Sequence, residues 1–272
     1  MMRESELTGF QVDIVSQIRT KTMVREKRSK IIISVGVIAV IAVVVPLSAL
    51  MLMNVNSVQF QLLDIAGVKI EAYGLRIYID PYNLPESFEA LPADVILITH
   101  PHFDHYQTTS IDLLQKEGTV NVFPESMSDA IALYEGIGIN PGDGLEFGAI
   151  NVTAFYAYYP AEESIQTTHP RENNWTSYII DVGGFTIFHS GDSRNIGEYS
   201  QLTGTIDVAL LCIDCNSGDQ VLEALQTIQP RYFVPIHYTV LSRQIFFANY
   251  ASSITNCIIV NLEYYQSYAF PR

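Results

Sequence analysis

The chain has 272 residues, enough for one sizeable domain and an appendage. Its formal net charge of −14 comes from 29 acidic against 15 basic residues, with no basic stripe, which excludes the phosphate-neutralising surface of a nucleic-acid binder. Hydrophobic content is 48% against 16% charged, and one uncharged run, residues 31–53, accounts for much of that imbalance.

Residues 1–30 carry seven basic and four acidic side chains and read as a cytoplasmic basic tail. The run 31–53, IIISVGVIAVIAVVVPLSALMLM, is long enough to cross a hydrocarbon core of roughly 30 Å as a helix. A buried globular helix of that length would keep a polar face. The run is too long for the apolar part of a cleaved signal peptide, and no Ala-x-Ala follows it. An uncleaved transmembrane helix is therefore expected. Five basic residues within ten positions of its start place the N-terminus in the cytoplasm. The expectation is a single-pass membrane protein, in contact with the membrane through 31–53, with an extracytoplasmic domain over 58–272.

After a polar bridge at 54–57, residues 68–73 and 75–80 alternate around Gly74 and predict a hairpin. Residues 94–99, DVILIT, predict a buried strand. Residues 110–116 and 126–134 read as helices. Residues 145–147, 151–156, 177–182 and 185–189 read as strands, the last two joined across Gly183-Gly184. A buried strand is expected at 207–211, a helix at 220–228, a strand at 231–235 and a helix at 243–250. Residues 257–262 and 266–270 could close a sheet edge. Both halves mix strands with helices, which points to a layered α/β domain.

The chain has six histidines, and three of them fall within six positions, in Thr99-His100-Pro101-His102-Phe103-Asp104-His105. This run follows the 94–99 strand directly, so it sits on the loop at the strand's carboxyl end. There, His-x-His can turn two imidazoles toward one point, and Asp-His can turn a carboxylate and a third imidazole toward a neighbouring point. These ligand types suit zinc and other divalent first-row metals. No Gly-x-Ser-x-Gly elbow is present. Cys212 and Cys215 form a Cys-x-x-Cys just past a strand. A disulfide and a pair of buried thiols both fit that spacing, whereas a closed metal site would need two further ligands and Cys257 supplies one thiol.

The run 99–105 matches the Thr-His-x-His-x-Asp-His signature of the metallo-β-lactamase superfamily, and the resemblance extends over about residues 58–272. Asp80 in IYIDP, His169 opening HPRENNWTSYII, Asp192 in FHSGDS and His237 in VPIHY follow the family's order. Pro141-Gly142-Asp143 and Asn173-Asn174-Trp175 are similar to the branch of ascorbate-6-phosphate lactonase and uncharacterised metal-dependent hydrolases. The resemblance implies an αββα sandwich and two divalent metal ions, zinc before manganese or iron. It implies that His100, His102 and His169 hold the first ion, that Asp104, His105 and His237 hold the second, and that Asp192 bridges them. Such a pair lowers the pKa of a shared water to give a hydroxide near neutral pH, with Asp104 as a catalytic proton shuttle. The implied substrate is a lactone, ester or phosphoester of a small or lipid-like molecule. His189, the histidine left over, reads as a supporting or packing residue. Asp80 either orients a ligand or ends a strand. Tyr156, Tyr158, Tyr159, Asn173, Trp175 and Tyr178 are candidates to line the pocket, and Arg194 to hold an anionic substrate group. An iron-dependent oxidoreductase of the same superfamily and a non-catalytic binding module with a structural metal remain as alternatives.

Overall fold

The computed structural model describes residues 57–160, 168–239 and 256–271. The chain first lays down β1 (Ser57–Leu62), β2 (Val68–Ala72), β3 (Leu75–Ile79), β4 (Val95–Leu97), β5 (Val120–Pro124) and β6 (Ile137–Ile139). It then lays down β7 (Gly144–Phe147), β8 (Ile150–Tyr156), β9 (Thr176–Val182), β10 (Phe185–His189), β11 (Val208–Cys212), β12 (Tyr232–Ile236) and β13 (Ile258–Ile259). The last strand, β14 (Ser267–Pro271), returns to pair with β1, so the two sheets run β14-β1-β2-β3-β4-β5-β6 and β13-β12-β11-β10-β9-β8-β7. In each, an antiparallel run gives way to a parallel set: β3 through β6 in the first sheet and β10 through β13 in the second.

Side-chain alternation builds the layers. In β3 and β4, Ile77, Ile79, Val95 and Leu97 enter the core shared with the second sheet, which contributes Ile180, Ile187, Val208 and Val234. The residues between them, Tyr78 and Ile96, turn to the opposite face. There they pack with Ile111 of helix α1 (Thr108–Leu113) and Ala130 of helix α2 (Ser128–Tyr134). A third helix, α3 (Gly218–Ile228), is the crossover between parallel β11 and β12. It buries Val221, Leu222, Ala224, Leu225 and Ile228. The expected α/β class stands, with two sheets of metallo-β-lactamase type.

The hairpin at Gly74 forms as expected. Tyr73 and Gly74 both have positive φ, 50° and 79°, the left-handed pair that a two-residue turn between right-twisted strands requires. The strands β1, β5 and β6 were not predicted. The residues 57–62 alternate inward Val58, Phe60 and Leu62 with outward glutamines, whereas β5 is buried along nearly its whole length and offers no period to read.

The expected transmembrane helix at 31–53, the tail at 1–30 and the expected helix at 243–250 lie outside the described residues. Among the described residues no helix is long and apolar enough to cross a membrane. The longest, α3, has 11 residues, which span about 16 Å, roughly half a hydrocarbon core, and it carries its apolar residues on one face. On that finding the single-pass membrane location with an extracytoplasmic domain is withdrawn.

Candidate metal centre

The parallel strands deliver the chemistry from their carboxyl ends. Asp80 follows β3, and residues 100–105 follow β4. Asp192 follows β10, Cys212 ends β11 and His237 follows β12. His169 arrives from the connection between β8 and β9. Ligand sites in sheets of this kind lie beyond these strand ends, and here both sheets contribute.

The structure brings all seven residues expected as metal ligands together. His100, His102, His169 and Asp192 each offer one ligand atom, with the atoms within 4.8 Å of one another. Asp104, His105 and His237 do the same beside them. A further group, Asp192, Cys212, Cys215 and His237, meets the same limit. The cysteines form a disulfide.

Hydrogen bonds set which ring nitrogen of each histidine faces the centre. Asp80 is fully buried. Its Oδ1 accepts from the Thr99 N–H at 2.8 Å, and its Oδ2 accepts from the Thr99 hydroxyl at 2.6 Å and from His105 Nδ1 at 2.7 Å. The Thr99 hydroxyl has then donated its one proton, so it accepts from His100 Nδ1 at 2.9 Å. Both imidazoles are left with Nε2 facing the centre. His100 Nε2 lies 3.1 Å from His102 Nδ1 and 3.4 Å from His169 Nε2. His189 takes no part in the cluster: its Nδ1 accepts from the Gly191 N–H at 3.0 Å and its Nε2 donates to the Ala66 carbonyl at 2.8 Å. It fastens the Asp192 loop to the opposite sheet.

That loop favours glycine at 191. Gly191 has φ +52°, and a Cβ there would stand 3.1 Å from the Thr99 side chain. Asp80 and His237 also hold positive φ, 47° and 55°, a cost that recurs at functional positions. Trp175 packs against the rings of His100, His102 and His169, with centroids 5.2, 5.1 and 5.2 Å away. Tyr159 stacks on His169 at 4.3 Å, and the Arg194 guanidinium lies 4.2 Å over Tyr159. Tyr158 turns instead to Glu198, 2.7 Å away.

The electrostatics divide the histidines in two. Burial, reinforced by neighbouring imidazoles, holds His100 well below its ordinary pKa and His102 below it, so their lone pairs are free at neutral pH. At His105 burial also opposes charge, but the Asp192 and Asp80 carboxylates outweigh it and hold the group well above its ordinary value. At His237 burial is likewise outweighed, by Asp104 and Asp192, and the pKa is raised. Burial pushes Asp192 upward, yet His105, His169 and His237 bring it well below the carboxylate range. Positive charge is therefore favoured between these carboxylates. His105 Nε2, Asp192 Oδ1 and both ring nitrogens of His237 are buried without a hydrogen-bond partner. Unpartnered imidazole nitrogens and a carboxylate oxygen converging where positive charge is favoured are the donor set of a divalent metal, which would take the place of the ring protons, and the residues fit one.

The sequence did not identify Thr99 as the residue that orients His100, nor the nearness of Cys212 and Cys215 to the ligands. A signal for the latter existed: Cys212 ends a parallel strand, as the residues leading to Asp80, His100, Asp192 and His237 do.

A family model described as a Beta-lactamase superfamily domain matches residues 59–237, more than half of the chain. A UPF0173 protein of Pyrococcus furiosus is 31% identical over 176 residues, covering 62% of this chain and 78% of its own length. A UPF0173 metal-dependent hydrolase of Thermococcus kodakarensis is 31% identical over 178 residues, covering 60% and 77%. Among solved structures, Igni18, a metallo hydrolase from Ignicoccus hospitalis, superposes with a TM-score of 0.67 at 20% identity, covering 79% of this chain and 99% of its own. With the two-sheet fold and the histidine–aspartate cluster already in place, these matches establish that the chain belongs to the metallo-β-lactamase superfamily and is a metal-dependent hydrolase.

Proposed function

We propose that this chain hydrolyses a lactone, ester or phosphoester of a small or lipid-like molecule with two divalent metal ions, zinc first among them. The observation that carries this reading is the division of Asp192. Its Oδ2 lies 3.7 Å from His100 Nε2 and 3.5 Å from His169 Nε2, while its Oδ1 lies 2.9 Å from His105 Nε2 and 3.3 Å from His237 Nε2. One carboxylate addresses two separate histidine sets. His100, His102 and His169 would hold one ion, Asp104, His105 and His237 the other, and Asp192 would serve both. Five imidazoles and two carboxylates form a donor set that suits zinc, and manganese or iron after it. Metal held by these residues would supply a water of lowered pKa and polarise the carbonyl or phosphoryl oxygen under attack.

The chain's own residues supply the rest. Burial would raise the Asp104 carboxyl, but the His237 imidazole 3.4 Å away, with His105 beside it, holds it below the usual range. Ionised at neutral pH and partly open to solvent, it can accept a proton from the attacking water and pass it to the leaving group. Phe103 is 75% exposed between His102 and Asp104, with its ring edge on Tyr82 at 6.2 Å. This apolar lip suits a substrate with a hydrocarbon part. Arg194 over Tyr159 supplies a positive charge for an anionic substituent.

The test strips the full-length protein with a chelator, reloads it with zinc and assays lactones, aryl esters and phosphodiesters. Two zinc ions per chain with turnover on one class are expected, and Asp192→Asn should lose both turnover and one ion. Two iron atoms with oxygen consumption and no hydrolysis would replace this reading with an oxidoreductase. Metal loading without turnover on any class would leave a binding module.

A further inference from the structure

The loop between the ones that carry Asp192 and His237 is the Cys-x-x-Cys run, and the hydrolysis proposed above uses neither sulfur. Its backbone is fastened on both sides. Toward Asp192, the Cys212 N–H donates to Ser190 Oγ at 3.0 Å, and Asn216 Nδ2 donates to the Ser193 carbonyl at 3.2 Å. Arg194 Nε donates to the Cys215 carbonyl at 3.0 Å. Toward His237, the Ile213 N–H donates to the Ile236 carbonyl at 3.0 Å and the Asp214 N–H donates to the His237 carbonyl at 3.2 Å. Each sulfur can join an Asp192 oxygen and a His237 nitrogen in one group whose atoms lie within 4.8 Å of one another. In the structure those sulfurs are bonded to each other.

We propose that Cys212 and Cys215 are a redox-reversible ligand pair of the metal centre: as dithiol they add thiolate coordination to the ion held at Asp192 and His237, and as disulfide they withhold it. The inference rests on the two-metal reading of the site. The reductant is a dithiol. Cys212 is fully buried and Cys215 is not, so the incoming thiolate attacks Cys215 Sγ. The Cys212–Cys215 bond breaks, and Cys212 leaves as a thiolate beside the cation. The reductant's second thiol then attacks the mixed disulfide, releasing Cys215 and leaving the reductant oxidised to its own disulfide. Two electrons and two protons pass to the pair, and each thiol that binds the ion gives its proton to solvent. Sulfur is a softer donor than imidazole or carboxylate, so the reduced form holds a thiophilic ion such as zinc more tightly.

The test uses the full-length chain carrying Cys257→Ser, so that only the pair can report. The protein is prepared with the disulfide intact, or reduced anaerobically with a phosphine that is oxidised to its oxide and then removed. Each form is loaded with cobalt(II). A thiolate-to-cobalt charge-transfer band in the near ultraviolet is expected in the reduced form alone. Release of cobalt to a chelator should be about 10-fold slower or more in that form. Cys212→Ser and Cys215→Ser together should abolish the band and the difference. The comparison of the two redox forms needs no variant, so a misfolded double variant does not weaken it. Cobalt bound equally in both forms, with no band and equal release, overturns the redox pair and leaves the two-metal reading intact. No cobalt bound in either form overturns both.

Discussion

Asp80 uses both carboxylate oxygens on the two residues that begin and end the metal motif. Through Thr99 it fixes the ring of His100, and directly it fixes the ring of His105. Three donors satisfy a carboxylate that has no solvent exposure, which is why a buried charge is tolerated there. Asp80→Asn keeps the shape but replaces an acceptor with an amide whose N–H groups must face either the Thr99 or the His105 donor. We expect metal affinity to fall about 10–100-fold, as when partners behind a metal ligand are removed. The metal-free fold should lose about 1–3 kcal/mol for the donor left unsatisfied. Zinc titration against a competing indicator, paired with urea unfolding, measures the two losses separately. A variant that loses stability but keeps zinc affinity would show Asp80 to be a structural carboxylate and nothing more.

At the scale of elements, the site was legible where a residue type is rare and its strand plain. Three histidines at the end of DVILIT could be read directly from residues 94–105. The residues that orient them could not be read as reliably, because Thr99 and Asp80 are common at strand ends and gain meaning only when β3 and β4 lie side by side. The Cys-x-x-Cys was legible as a pair but not as a neighbour of His237, since β11 and β12 pair side by side only after the chain has returned through α3. That crossover depends on its first turn. Ser217 Oγ accepts from the Gln220 N–H, and Gln220 Oε1 accepts from the Ser217 N–H at 2.9 Å, a reciprocal cap that the sequence Ser-Gly-Asp-Gln encodes. Ser217→Ala should cost about 1 kcal/mol of stability, read as a lower urea midpoint with unchanged slope. The cap directly follows Asn216, which bonds to the Cys212 and Ser193 carbonyls. The same variant should therefore speed the loss of bound zinc to a chelator, and equal loss from both proteins would confine the cap to α3.

At the scale of the whole molecule, the centre joins the sheets. The first supplies His100, His102, Asp104 and His105, and the second supplies His169, Asp192 and His237. Direct ties across that seam include Tyr178 Oη donating to the Ile98 carbonyl at 2.7 Å and the Thr176 N–H donating to the Thr99 carbonyl at 3.1 Å. Metal bound there would brace the two halves against separation. If zinc is the metal, free zinc at a hundred times its dissociation constant should stabilise the fold by about 2.7 kcal/mol, which at about 2–4 °C per kcal/mol should raise the melting temperature by about 5–10 °C. The gain has a definite pH dependence. His105 and His237 have raised pKa values in the metal-free fold. Their protonated rings stabilise that fold fully below the unfolded value near 6.5, and this contribution is lost as pH rises through the folded values. Zinc held by these rings would have to displace those same protons, so loading at neutral pH should release protons to the medium. His100 and His102 have lowered values and have no proton to give up at neutral pH. Raising pH above neutral should therefore lower the melting temperature of the metal-free protein and widen its gap to the loaded form. Scanning calorimetry of both forms between pH 6 and 9, with proton release followed in weak buffer, checks each part. A gap that narrows as pH rises, or loading without proton release, would contradict the assignment of His105 and His237 as ligands.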